Sequence, residues 1–173
     1  MPRPHAGQPD AVADATVLRR RRANARSGAT SLGAWAARRR GLALRPGPHG
    51  LLVALHHPRA FPLTRAAAMC LGDVVLVRRV EGVEDVADLL ARRPTLLDHE
   101  ARHAGQWAAW RGPLGFLPAY AAASLWSLLR HGDVHSGNGF EVAAGLADGG
   151  YQWRPPRRLL SRRGRRSQSP GRP

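Results

Sequence analysis

Three residues in one short run have the types and spacing to do chemistry together: His99, Glu100 and His103, within HEARH at 99–103. Side chains four apart on an α-helix lie one above the other, so a helix here directs both imidazoles at a single tetrahedral Zn²⁺. Glu100 then projects from an adjacent position toward a metal-bound water. Zinc lowers the pKa of such a water toward neutrality, and the carboxylate takes its proton as the hydroxide attacks a polarised carbonyl. With 8 His in 173 residues, a chance H-E-x-x-H is expected on the order of 1% of the time. Leu96, His99, His103, Trp107 and Trp110 follow one inward-looking stripe at helical spacing. Buried imidazoles beside a buried Glu need partners, and a metal supplies them.

A catalytic zinc also needs a third protein ligand and an open fourth position. Cys70 is the single cysteine, so neither an intrachain disulfide nor a cysteine cage is available, and the ligand must be His, Asp or Glu. His131, Asp133, His135, Glu141 and Asp148 follow downstream. Glu141 is preferred because GNGFEVAAG sets it in the first turn of a helix, where a carboxylate is held at fixed geometry. The same spacing has a plainer explanation, since Asn138 with Glu141 is N-x-x-E, close to a capping box. His135, in a Gly-rich loop, is the next choice.

The elements that must position these residues can be read from the breakers. The helix carrying HEARH follows Pro94, with Thr95 as N-cap and Asp98 completing a capping box, and it stops at Gly112 and Pro113, covering 96–111. A second helix runs from Leu114 or Pro118 to His131, and a third from after Asn138 to Gly149 and Gly150. LLVALHH (51–57) and AMCLGDVVLVRR (68–79) are Val- and Leu-rich; Gly72 and Asp73 split the latter into two short strands, of which 73–77 is the clearest. His56 and His57 fall on opposite faces of their strand, so both cannot join one site. The uncharged run Pro113–Leu129 is shorter than the ~20 apolar residues of a membrane span and contains Pro118, so it reads as a buried helix. Trp107, Trp110, Phe116, Tyr120 and Trp126 read as core, and Cys70 as a small buried apolar side chain.

Every basic side chain but His is Arg, and the formal charge of +15 is unevenly spread. Residues 1–48 carry +8, residues 49–153 carry −1 and residues 154–173 carry +8. The body is electrically ordinary, so the high pI says little about its chemistry. The sequence therefore predicts an α+β domain over 49–153 between disordered Arg-rich tails, 1–48 and 154–173, and a 49–153 fragment that folds alone. The N-terminal arginines are not followed by an apolar run long enough for a secretory leader, which predicts a cytoplasmic protein.

TLLDHEARHAGQW, GPLGFLPAYAAASLW and NGFEVAAG together resemble a group of small bacterial predicted zinc metallopeptidases of the gluzincin type. That group has HExxHxxQ, an apolar helix with a Gly-Pro entry, and an N-x-F-E-x-x-A segment; it is similar to the peptidase domain associated with extracellular contractile injection systems. The resemblance runs over about residues 66–147 and takes LGDVVLV as the strand before the zinc helix. It implies a zincin-like fold, Zn²⁺ on His99, His103 and Glu141, Glu100 as base, and Gln106 supporting the site from behind. Ala101 and Arg102 stand where bulky apolar residues are usual. The function expected is hydrolysis of a peptide or protein substrate, with 73–78 as the edge that pairs with extended substrate. Two other classes stay open: a non-catalytic, zinc-stabilised interaction domain, and weak nucleic-acid contact through the Arg-rich tails.

Overall fold

A computed structural model describes residues 8–58 and 66–157. The elements in chain order are α1 (Gln8–Arg26), α2 (Ala29–Arg38), β1 (Arg45–Pro46), β2 (Leu52–His57), β3 (Ala68–Leu71), β4 (Val74–Arg78), α3 (Val86–Arg92), α4 (Leu96–Ala109), α5 (Pro113–His131) and α6 (Gly139–Ala144). The class is α+β. Four strands form a mixed sheet in the order β1-β2-β4-β3, with β2 parallel to β4 and β3 antiparallel to it across the Gly72-Asp73 turn.

The run VVLV in β4 is apolar at every position because both faces of the sheet are covered. Val75 and Val77 point toward α4 and pack with Leu97, Ala104, Trp107 and Phe116. Val74 and Leu76 point the other way, into a second cluster with Ala54 and Ala37. Alternation along a strand sends these pairs to opposite faces. α4 thus lies across one face and α2 across the other, and the sheet is the platform that holds the HEARH helix.

The covering of the second face corrects the expectation of a disordered segment over 1–48 for residues 8–48; residues 1–7 lie outside the described residues. From Gln8 to Arg38 the chain is two helices, and they are packed. α2 buries Ala29, Gly33 and Ala37, four apart, a stripe without a bulky side chain. A Cβ on Gly33 would stand 2.6 Å from the Val74 Cβ and 2.7 Å from the Leu71 carbonyl oxygen, so only glycine lets α2 come this close. α1 is pinned by polar groups: Asn24, fully buried, donates to the Ala104 carbonyl of α4 (3.0 Å), and Arg20 pairs with buried Asp73 at 2.8 Å. Thr30 donates to the other Asp73 oxygen (3.0 Å).

A 49–153 fragment is accordingly expected not to fold on its own. Removing 1–48 uncovers Ala54, Val74 and Leu76 and strips buried Asp73 of both Arg20 and Thr30. At roughly 1.5–3 kcal/mol per large apolar side chain and 1–3 kcal/mol per stranded polar group, the loss rivals the stability of a whole domain. Urea titration of fragment and full chain tests this; a cooperative transition for the fragment at the parental midpoint would refute it.

Other expectations change in detail. Thr95 makes no side-chain cap on α4, and Asp98 instead meets His49 Nε2 at 2.6 Å. The capping box sits one helix earlier, where Asp85 and Asp88 each accept from the other's backbone N–H at the start of α3. β4, expected to be the substrate edge, is flanked by β2 and β3, so the edge strand on that side is β3. α5 is not a buried helix: its inner face carries Phe116 and Ser127, while Trp126, expected in the core, is 61% exposed, and Trp110 after α4 is also exposed. Among the described residues no helix is long and apolar enough to cross a membrane. Of the C-terminal segment, residues 158–173 lie outside the described residues; 154–157 are irregular and tied back by backbone bonds from Arg154 to Ser136 Oγ and from Arg157 to the Arg130 carbonyl.

Candidate metal centre

α4 buries His99, Glu100 and His103 on the face it turns inward. α6 enters from the opposite side and buries Glu141 in its first turn. His99 Nε2 and His103 Nε2 are 3.0 Å apart; Glu141 lies 3.5 Å from each, through Oε2 to His99 and Oε1 to His103. These three are the group among the described residues whose ligand atoms converge as a metal ion needs.

Hydrogen bonding on the far side of each ring fixes what the near side presents. His99 Nδ1 is 3.0 Å from the Ala144 carbonyl and 2.9 Å from that of Gly145, and carbonyls only accept. Gln106 gives its NH₂ to the Phe140 carbonyl at 2.9 Å, which orients the amide so that its Oε1 faces His103 Nδ1 at 2.8 Å. Both Nδ1 atoms therefore carry the proton, and both Nε2 atoms present lone pairs. Two lone pairs 3.0 Å apart beside a carboxylate repel, so a positive charge, from a proton or a metal ion, has to sit among them. A tetrahedral zinc with arms of about 2.0–2.1 Å spaces its ligands about 3.3–3.4 Å apart. The observed 3.0, 3.5 and 3.5 Å bracket that spacing.

The electrostatics agree. Burial works against the Glu141 charge, yet bonds and charge from His103, His99 and Tyr120 hold its carboxyl well below the usual carboxylate range. His103 is likewise opposed by burial and raised by Glu141. The Tyr120 hydroxyl donates to Glu141 Oε1, while Glu141 Oε2 makes no hydrogen bond among the described residues. Asn138, not Glu141, caps α6: its side chain accepts from Phe140 N at 2.9 Å. Of the N-x-x-E capping reading, the Asn138 half holds, while the Glu141 side chain turns to the histidines.

Glu100 stands beside the trio rather than in it. Its carboxyl is pushed up by burial, against the lowering influence of His103 and His99, and its Oε2 is buried without a hydrogen bond among the described residues. His135 is outside the cluster: its ring stacks on Tyr151, with centroids 3.8 Å apart, and burial lowers its pKa. His56 and His57 lie at the end of β2, away from the group.

A cleft of about 530 Å³ opens onto the trio. Its walls include β3, Trp107, Tyr120, His135 and Tyr151. The Trp107 indole holds the Cys70 carbonyl at 3.1 Å, which fixes β3 against α4. Cys70 is buried, and burial pushes its thiol up, away from reactivity. Tyr120 and Tyr151 both face this site, a role that sequence reading missed. Aromatic residues at core spacing carry no mark that distinguishes a hydroxyl aimed at a carboxylate from one that merely packs. Arg102 has a place as well, holding the Ala144 carbonyl and Asp148 at 2.6 Å each and so clamping the end of α6 to α4.

Gly149 closes the site from behind. A Cβ there would stand 2.7 Å from His99 Cε1 and 2.8 Å from Nε2. Gly149→Ala should displace the ring and lower metal affinity about tenfold or more, since ligand geometry tolerates little displacement. Isothermal titration with Zn²⁺ measures it, and parental affinity would show that the loop yields instead.

Searches against protein-family models, curated proteins and solved structures return no match for this chain.

Proposed function

We propose that this protein is a zinc-dependent peptide hydrolase with a zincin-like site. The observation that carries the reading is the convergence of the His99 and His103 Nε2 atoms with the Glu141 carboxylate, a donor set and spacing suited to zinc. His99, His103 and Glu141 hold the ion, and Gln106, Tyr120 and the Ala144 and Gly145 carbonyls orient those three from behind. When bound, zinc supplies a Lewis acid and makes water acidic enough to lose a proton near neutral pH. Glu100 accepts that proton, and passes it to the departing amine. Its burial favours this, because a carboxyl with a raised pKa both takes and returns a proton readily. The outer edge of β3 borders the cleft, and there an extended peptide can add as a strand.

Metal analysis of the purified protein tests the reading together with a peptide-hydrolysis assay. About one zinc per chain is expected, with hydrolysis lost on chelation and restored by zinc. Protein that folds without metal, and gains neither stability nor activity when zinc is added, would end it. Zinc held tightly with no hydrolysis of any peptide in a broad mixture would favour the non-catalytic, zinc-stabilised domain.

A further inference from the structure

α5 presents an anomaly that the metal centre does not use. From Pro113 to Leu129 it has no charged residue, and the side it turns outward is apolar. Leu114 is 92% exposed, Leu129 67%, Trp126 61% and Leu125 56%, with Leu117 and Leu128 also exposed. A surface helix ordinarily puts charge on that side. One helix with six large apolar side chains in water marks a docking face.

The geometry points to an anionic lipid surface as the occupant of the outer face of α5. Charge decides among partners. Between Glu100 and Asp133 the sequence holds no acidic residue. The apolar face is bounded by exposed Arg111 before it and exposed Arg130 at its end. Beyond lie Arg154 and Arg157, with Arg157 N bonded to the Arg130 carbonyl, and Trp153, which is exposed and edges onto His131. The chain then continues into 158–173, which adds six more Arg and no acid. Tryptophans and arginines around an apolar helix suit the interface of a bilayer, where rings sit among headgroups and guanidinium groups meet phosphates.

A second copy suits the face poorly. Antiparallel pairing of two α5 helices sets Arg111 against Arg130 at both ends and parallel pairing sets like against like; the one acid at the Arg130 end, Asp133, is paired with Arg154 at 3.9 Å. No described helix is both long and apolar enough to span, and the inner side of α5 is bonded to α6 and its cap through Tyr120 to Glu141 and Ser124 to Asn138, so it lies along the surface. Leu117, Ala121 and Ser124 of α5 also line the metal cleft. Seating α5 on lipid therefore brings the mouth of that cleft to the membrane, whatever chemistry it performs.

Flotation with vesicles tests the proposal on the full chain, metal-loaded or not. Vesicles of equal parts phosphatidylcholine and phosphatidylglycerol should carry the protein up and shift tryptophan emission to shorter wavelength, an effect reduced in Trp126→Phe. Leu125→Glu with Leu129→Glu should weaken vesicle binding at least about tenfold, with thermal unfolding unchanged because both positions are exposed. Leu125→Gln with Leu129→Gln, which adds no charge, should weaken it in the same direction and so separate lost apolar contact from repulsion. Parental protein that stays with the unbound fraction would overturn the proposal. So would variants that float like the parent, which would leave the arginines alone as the cause. A parental dimer that both double variants dissolve, without vesicle binding, would assign the face to a second copy.

Discussion

Glu100→Gln is expected to keep the metal and lose hydrolysis by about 10²–10⁴-fold. The amide copies the carboxylate in size but cannot accept a proton from water. Metal content should be unaffected because Glu100 lies outside the converging trio of His99, His103 and Glu141. The fold should tolerate the change as well. In the metal-free protein the buried Glu100 charge is penalised by desolvation, and Oε2 has no hydrogen bond to lose. The two readouts therefore separate cleanly: inductively coupled plasma analysis follows the ion, and cleavage of a quenched fluorescent peptide follows the chemistry. Parental activity in Glu100→Gln would remove Glu100 as the base. Loss of metal would place it among the ligands instead.

How far the site could be read from sequence depended on where its parts stand in the chain. His99, Glu100 and His103 were legible because one helix turn fixes their relation, and the strand run at 73–77 was legible because a sheet buried on both faces writes an unbroken apolar segment. Glu141 needed a contact between α4 and α6, and spacing alone left it balanced between ligand and cap. In the structure Asn138 caps α6 without help from the Glu141 side chain, which leaves that carboxylate facing the histidines. The N-terminal helices were illegible for a physical reason. α2 meets the sheet through Ala29, Gly33 and Ala37, and α1 through Asn24 and Arg20, so neither shows the bulky apolar periodicity by which packed helices are recognised. Close backbone approach replaces side-chain volume there. α5 failed in the opposite sense, since its uncharged sequence reads as buried while its outer face is in water.

The third ligand carries the second large effect. Glu141→Gln should lower zinc affinity by more than the roughly 10–100-fold seen for partners that only orient a ligand, because it removes the one negative charge among the three donors. The replacement amide also keeps the Tyr120 hydroxyl supplied with an acceptor, so lost affinity reflects the ligand more than a stranded hydroxyl. Asn138→Ala should do the reverse. Asn138 is fully buried, accepts from Phe140 N and donates to Ser124 Oγ (3.0 Å), so its loss costs about 1–2 kcal/mol of stability. Zinc affinity of the folded Asn138→Ala protein should change little, since Glu141 is still held by Tyr120 and the histidines. His135→Ala should bind zinc like the parent, its ring being stacked on Tyr151 and not among the converging donors. Zinc titrations and urea melts on the three variants rank them on both axes. If Glu141→Gln binds like the parent while His135→Ala does not, the third ligand is His135, and the pairing of an α4 histidine pair with an α6 carboxylate is not the metal site.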